Sequence, residues 1–322
     1  MCNGKIKSDQ PRHVATLGAR YVKALSCEAM TSGAQWLAGT RPRTLPAALV
    51  PVVVGVAVVL GEADIAGTSI AARGALALVV SLALQVAVNF ANDYSDGVRG
   101  TDDERQGPQR LVASGLASPS AVKRAAFMAF AVAGLAGGTL AWLTTWWLIP
   151  VGAICMAAGW TYTGGPKPYG YAGFGEVFVF VFFGIVATVG TAFVISEEIT
   201  SLAVVSGVVT GALAVALLVV NNIRDIDNDR MSGKITLAVR IGGQKARRLY
   251  VLLYVLAGAA MIVASFQERL ALIGLVGLLA ALPAISTVRQ ANTAEQLIAA
   301  LGMTARAQLV IGALYALGLA IQ

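Results

Sequence analysis

Histidine is almost missing from this chain: His13 is the only one in 322 residues. It stands in a polar amino-terminal stretch and reads as a solvated residue. Ser-His and Cys-His catalysis are therefore excluded, and a zinc site loses its commonest ligand. Cysteine is scarce as well, since Cys2, Cys27 and Cys155 are the only three and show no CxxC spacing. Neither a disulfide framework nor a thiolate metal site follows from them. Charged residues make up 13% of the chain against 57% hydrophobic residues. Soluble domains carry about 25% charge, so the composition points instead to a polytopic membrane protein. The apolar runs are long and continuous rather than alternating, so they read as helices and not as barrel strands.

The expected fold is all-α, with nine transmembrane helices near residues 44–61, 70–91, 121–143, 146–162, 175–195, 201–222, 246–266, 270–288 and 300–321. Residues 1–41 are polar and basic, without an apolar core of signal-peptide type, and read as a cytoplasmic tail ahead of a membrane domain spanning 42–322. Positive charge tests this arrangement. With the amino terminus in the cytoplasm, 22 of the 24 Lys and Arg residues fall on the inner side and only Arg73 and Arg269 on the outer. That bias is what the positive-inside rule requires. The net charge of +7 then follows from topology, with no case for nucleic-acid binding. A basic inner face suits anionic lipid or an anionic substrate.

Acidic residues are the exception to this distribution. Eight of the seventeen lie in two stretches, each directly after an apolar run: Asp93, Asp96, Asp102, Asp103 and Glu104, then Asp225, Asp227 and Asp229. Both stretches fall on the inner side, and both begin Val-Asn-x3-Asp, at Val88 and Val220. At helical spacing Asn89, Asp93 and Asp96 share one face, as do Asn221 or Asn222 with Asp225 and Asp229. Stacked carboxylates beside a bilayer need cations to neutralise them. Oxygen ligands without His or Cys suit Mg²⁺, which favours a few carboxylates together with phosphate oxygens. Arg99, Arg110, Arg224 and Lys234 stand close in sequence and suit the remaining oxygens of a diphosphate. The pattern therefore describes a diphosphate-ester site. Asp103 and Glu104 read as bystanders. Solvated acidic loops that merely end the spans are the plainer alternative, but inner loops are ordinarily basic.

Between the two stretches runs a Gly- and Pro-rich segment, 160–176, containing Tyr162, Lys167, Tyr169, Tyr171 and Glu176. Its aromatics offer a wall for a planar or cationic species. Tyr162 and Lys167 are the candidates for function, whereas Tyr169 and Tyr171 read equally well as interfacial anchors.

At these residues the chain resembles the UbiA superfamily of membrane-bound aromatic prenyltransferases, which have nine transmembrane helices and two aspartate-rich motifs. The second motif, DxxxDxxxG with a following Lys, is matched by Asp225, Asp229, Gly233 and Lys234. The first, NDxxDxxxD, is matched by Asn92, Asp93 and Asp96, but Gly100 stands at its third aspartate and Asp102 follows two residues later. That form is similar to the menaquinone branch, as are the stretches 38–46, 107–115 and 165–176. The resemblance runs from about residue 35 to the end of the chain.

What the resemblance implies is transfer of a polyprenyl group from its diphosphate to 1,4-dihydroxy-2-naphthoate. Mg²⁺ would be held by Asp93, Asp96, Asp225 and Asp229, with Asn89 or Asn92 assisting. Lys234, Arg110, Arg224 and Lys167 would face the leaving diphosphate, with Asn222 and Asp102 beside it, and Tyr162 would shield the allylic cation. Asp102 or Asp227 is available to accept a proton or to support the ligands. Another acceptor, such as 4-hydroxybenzoate, homogentisate, a lipid or a phosphoribose, would use the same motifs. The CDP-alcohol phosphotransferases match only Asp93, Asp96 and Gly97 and keep their acids within one motif. A cation transporter would place its carboxylates in mid-span, not at the inner ends.

Overall fold

The computed structural model describes residues 31–60, 65–102, 107 and 109–321. The expectations for His13, Cys2, Cys27, Asp103 and Glu104 lie outside these residues. The fold is all-α. Among the described residues, seven helices are long and apolar enough to cross a membrane. They are α3 (Gly67–Arg99), α4 (Pro119–Leu143), α6 (Gly175–Ser196), α7 (Ser201–Arg224), α10 (Gly243–Ala264), α11 (Arg269–Gln290) and α12 (Ala294–Ala320). An eighth span is a bent pair in which Gly33–Thr44, containing α1 (Gly33–Gly39), meets α2 (Pro46–Val59) at 57°. The ninth apolar segment, α5 (Leu148–Thr161), has 14 residues, so it is short for a bilayer core that takes about 20. Two short helices, α8 (Ile226–Met231) and α9 (Leu237–Ile241), follow α7.

The bend before α2 has a local cause. Arg41 takes a left-handed conformation (φ 54°), and Pro42 and Pro46 start the next two turns, where a missing N–H costs nothing. Residues 31–41, placed in the tail by composition, are tied to the bundle in their described part. Thr31 donates to the Leu116 carbonyl at 2.5 Å, and Gly39 is buried so closely against Leu111 that a Cβ there would lie 2.8 Å from its side chain.

Helix α7 is the most enclosed span and forms the centre of the bundle, with Val209, Ala212, Leu213 and Ala216 fully buried. Small residues let its neighbours approach, as membrane helices require when lipid supplies no hydrophobic drive between them. A Cβ on Gly184 of α6 would meet the Gly211 Cα of α7 at 2.4 Å, so the two backbones touch. Around that contact Phe180–Val186 winds as a π-helix, a local widening common at functional sites.

The two ends of the bundle differ in charge. At one end Arg73 of α3 pairs with Glu197 at 2.9 Å and donates to the Val194 and Leu143 carbonyls, tying α3, α4 and α6 together. Trp142, Trp146 and Trp147 are exposed at this end, as an aromatic belt at a membrane boundary would be. At the other end lie the carboxy-terminal ends of α3 and α7 with both acidic stretches.

Candidate active site

The two motifs meet because α3 and α7 both end where their carboxylates begin. Helix α3 stops at Arg99 with Gly100 in the left-handed conformation (φ 77°), a cap that a residue with a Cβ adopts only at a cost. This accounts for the departure from the first motif: the third aspartate position is a chain reversal. Asp102, just beyond it, is buried and faces Arg110, whose Nε lies 3.3 Å from its Oδ2. Helix α7 breaks at Asp225 and continues as α8, which ends in turn at Gly233 (φ 75°). The reversal lets the Lys234 amide donate to the Asp229 carbonyl at 2.8 Å, and the side chain turns back over the site.

Lys234 joins the motifs. Its ammonium lies 3.8 Å from Oδ2 of Asp96 and 3.7 Å from Oδ1 of Asp229. Tyr171 completes the group: its hydroxyl donates to Oδ1 of Asp96 at 2.8 Å and stands 3.0 Å from the Thr101 hydroxyl, and its ring lies under Lys234. Burial works against the Lys234 charge, but Asp96 and Asp229, with Tyr162 and Tyr171, outweigh it and raise its pKa above the usual lysine value. Burial, reinforced by the Asp96 charge, pushes Tyr171 up to about 12, so its hydroxyl remains a donor. Tyr171 is thus part of the site and not an interfacial anchor. Nothing in its local sequence separates it from Tyr169, which donates to the Ala158 carbonyl and stacks on Phe178.

The remaining carboxylates are also held by protein groups. Arg224 grips Asp225 with two hydrogen bonds, at 2.7 and 2.6 Å, and reaches Asn221 at 2.8 Å. Asp93 accepts the backbone amides of Leu111 and Val112 at 2.9 and 3.0 Å. Asn92 accepts from Thr163, and Asn89 braces the bend by donating to the Thr40 carbonyl and the Thr44 hydroxyl. Arg99 lies over the face of the Tyr171 ring and donates to the Thr163 and Gly165 carbonyls, and so shapes the Gly- and Pro-rich loop. Lys167 and Asp227 are exposed.

One buried acid escaped the sequence reading. Glu176, in the first turn of α6, accepts from the Asn222 amide at 2.9 Å, while its other oxygen has no hydrogen-bond partner. Its neighbour Gly175 packs against the Tyr162 ring. An acid at a helix start is an ordinary preference, so only the contact with Asn222 distinguishes it.

Beside the polar group opens a cavity of about 730 Å³ that runs between α2, α3, α4, α5, α6 and α7. Its walls are apolar through most of its length, including Ala77, Leu140, Phe182 and Val194. Tyr162, Asn92, Asp93, Arg110, Asn221 and Arg224 line the end near the motifs, as do Arg41 and Arg43, which the sequence reading did not single out. Along α3 the lining extends from Asp93 back to Ala77, about 24 Å at 1.5 Å per residue. That shape takes a long apolar chain with an anionic head.

Among the described residues no three acidic side chains converge closely enough to hold one metal ion. The chemistry nevertheless suits a hard divalent cation, since the donors are buried carboxylate oxygens. The Lys234 ammonium already stands as a cation between Asp96 and Asp229.

A bundle of apolar helices with two aspartate motifs over a long apolar cavity defines a membrane enzyme that handles a prenyl diphosphate. The chain belongs to the UbiA prenyltransferase family, whose profile matches residues 48–319. It is 48% identical over 281 residues to the 1,4-dihydroxy-2-naphthoate octaprenyltransferase of Mycobacterium tuberculosis, covering 87% of this chain and 95% of that one. To the Escherichia coli enzyme of the same name it is 35% identical, over 72% of this chain and 76% of that one. Among solved structures it shares the fold of a UbiA homolog from Aeropyrum pernix (TM-score 0.65, 16% identity, 83% of this chain and 96% of that one). It also shares the fold of a UbiA homolog from Archaeoglobus fulgidus bound to GPP and Mg²⁺ (TM-score 0.57, 13% identity, 87% and 99%).

Proposed function

We propose that this chain transfers a polyprenyl group from a polyprenyl diphosphate to 1,4-dihydroxy-2-naphthoate, giving demethylmenaquinol, the reduced form of demethylmenaquinone, with release of CO₂ and diphosphate, in a Mg²⁺-dependent reaction. The observation that carries the reading is a long apolar cavity whose polar end is lined by Asn92, Asp93, Arg110, Asn221 and Arg224, from the two motif-bearing helices and the loop between them; the Asp96–Lys234–Asp229 bridge joins the two motifs beside it. The acceptor is supported by the 48% identity to a naphthoate octaprenyltransferase along 95% of its length.

Asp96, Asp225 and Asp229 would each offer carboxylate oxygens to Mg²⁺ brought in with the diphosphate, no single ion needing all three, with Asn92 assisting; Asp93, already committed to two amides, is left out of that set. Bound with the diphosphate, Mg²⁺ would supply charge neutralisation and Lewis acidity to the leaving group. Lys234, Arg224 and Arg110 would receive the non-bridging oxygens and stabilise charge as it develops. The isoprenoid tail would lie along the apolar walls. When the allylic C–O bond breaks, its electron pair leaves with the diphosphate, and the Tyr162 ring on the cavity wall would shield the cation. Burial raises the Tyr162 pKa to about 12, so it stays neutral and does not trap that cation as a phenolate. The ring carbon bearing the carboxylate then forms the new C–C bond, and loss of CO₂ returns an electron pair to the ring. No net proton is released, which agrees with a site lacking histidine.

The bias of 22 basic residues to 2 supports a multi-pass protein of the cell membrane with this site facing the cytoplasm. The test is mass spectrometry of products from detergent-purified protein given Mg²⁺, a polyprenyl diphosphate and equal amounts of dihydroxynaphthoate and 4-hydroxybenzoate. A decarboxylated prenyl-naphthoquinone that disappears with EDTA is expected. Prenylated hydroxybenzoate would keep the family reaction and overturn the acceptor.

A further inference from the structure

Asp93 and Asp96 are three residues apart on α3, yet their surroundings differ in kind. Asp96 faces a cation and a phenol. Asp93 stands at the polar end of the cavity but gives both of its oxygens to peptide. Its two oxygens each accept one backbone N–H, from the successive residues Leu111 and Val112, and the side chain is 1% exposed. Consecutive amides turned toward one anion form a small anion nest, and a buried amide left without an acceptor is costly.

The segment held in this way is packed from below as well. Leu111 is 2% exposed and belongs to a cluster with Phe90, Val122 and Ala126 that is separate from the main core. Gly97, one turn after Asp93, leaves room for Val112, for a Cβ there would lie 2.6 Å from it. The residue before the pair is Arg110, which lines the cavity and meets Asp102. Whatever fixes the amides of Leu111 and Val112 therefore fixes where Arg110 enters the site.

We infer that Asp93 is a positioning residue and not a metal ligand: its carboxylate seats the 110–112 segment on α3 and so aims Arg110 at the diphosphate. The inference rests on the metal and diphosphate assignment made above. It separates two carboxylates of one motif into two tasks, with Asp96 facing the metal and Asp93 holding the loop.

The experiment compares Asp93→Asn and Asp96→Asn by two readouts. One is Mn²⁺ affinity, measured with a non-reacting prenyl thiolodiphosphate bound. The other is hydrogen–deuterium exchange of the Leu111 and Val112 amides. Asp93→Asn should speed exchange of those amides at least tenfold and raise the KM for prenyl diphosphate, while Mn²⁺ affinity changes less than threefold. Asp96→Asn should lower Mn²⁺ affinity more than tenfold and leave the loop amides protected. Gly97→Ala crowds Val112 without touching either carboxylate and should reproduce the exchange and KM defects of Asp93→Asn, which keeps the test usable if that variant does not fold. A large loss of Mn²⁺ affinity in Asp93→Asn with amide exchange unchanged would overturn the inference. Unchanged Mn²⁺ affinity in Asp96→Asn would instead refute the metal site itself.

Discussion

Lys234→Met removes the cation shared by two buried carboxylates and keeps a side chain of similar length. The ammonium lies 3.8 and 3.7 Å from Asp96 and Asp229, and these side chains are 6% and 4% exposed. At an effective dielectric near 20 each contact is worth about 4 kcal/mol of gross attraction, and desolvation of all three groups offsets much of it. What the substitution leaves behind is two buried anions that have lost the cation they shared. Removing one member of a buried pair costs about 3–5 kcal/mol. For a chain of this size, at about 2 °C per kcal/mol, the melting temperature in EDTA should fall by about 6–10 °C. Tryptophan fluorescence during heating in detergent reports it. Addition of millimolar Mg²⁺ with inorganic diphosphate should recover more of the melting temperature in Lys234→Met than in the unaltered protein, because a divalent cation would occupy the same charge position. A variant that melts within 1 °C of the parent in EDTA, or one that gains nothing extra from Mg²⁺, would refute the bridge as the electrostatic centre of the site.

Gly184→Ala should lower stability by about 1–3 kcal/mol, because the added Cβ would meet the Gly211 backbone at 2.4 Å; Gly138→Ala, with nothing within 4 Å, is the control in the same thermal assay. Gly100→Asp restores the aspartate of the first motif in sequence only. At φ 77° it should cost about 1–2 kcal/mol of stability, and the Mg²⁺ concentration giving half-maximal activity should not fall. Alkaline pH provides a further check. Lys234 and Tyr171 both bind their protons more tightly folded than unfolded, so the stability they contribute is complete below about pH 10 and is lost as pH rises toward 12. Unfolding followed by fluorescence should show no loss from this source between pH 8 and 9.5 and a progressive loss above 10. Lys234→Met should flatten that alkaline decline.

Most of the architecture was legible because lipid imposes simple rules. Continuous apolar runs give spans, because a helix satisfies its own backbone in lipid. The run near 146–162 becomes a helix of only 14 residues, since Trp146 and Trp147 lie outside it at an exposed end. The first span could not be read as a bent pair, because the turn depends on a left-handed Arg41, a conformation that no local composition announces. Within the site, the spacing of Asp225, Asp229 and Gly233 carried real geometry: the helix break at Asp225 and the left-handed Gly233 bring Lys234 back over Asp229.

Other parts of the site were invisible for a definable reason: their partners are distant in sequence and are often backbone. Helical periodicity puts Asp93 and Asp96 on one face, and from spacing alone they are equivalent. What separates them is a peptide segment about 18 residues further on that docks against one and not the other. Glu176 is hidden in the same way, because its meaning depends on Asn222, 46 residues away, and Arg99 because it serves the carbonyls of a loop. The acids of this site are thus distinguished by what neutralises them. Lys234 and Arg224 are cations that a bound diphosphate would draw upon, whereas the amides at Leu111 and Val112 are fixed dipoles with nowhere else to go. Asp96, Asp229 and Asp225 can therefore change partners when the substrate arrives, and Asp93 cannot do so without releasing the loop that carries Arg110.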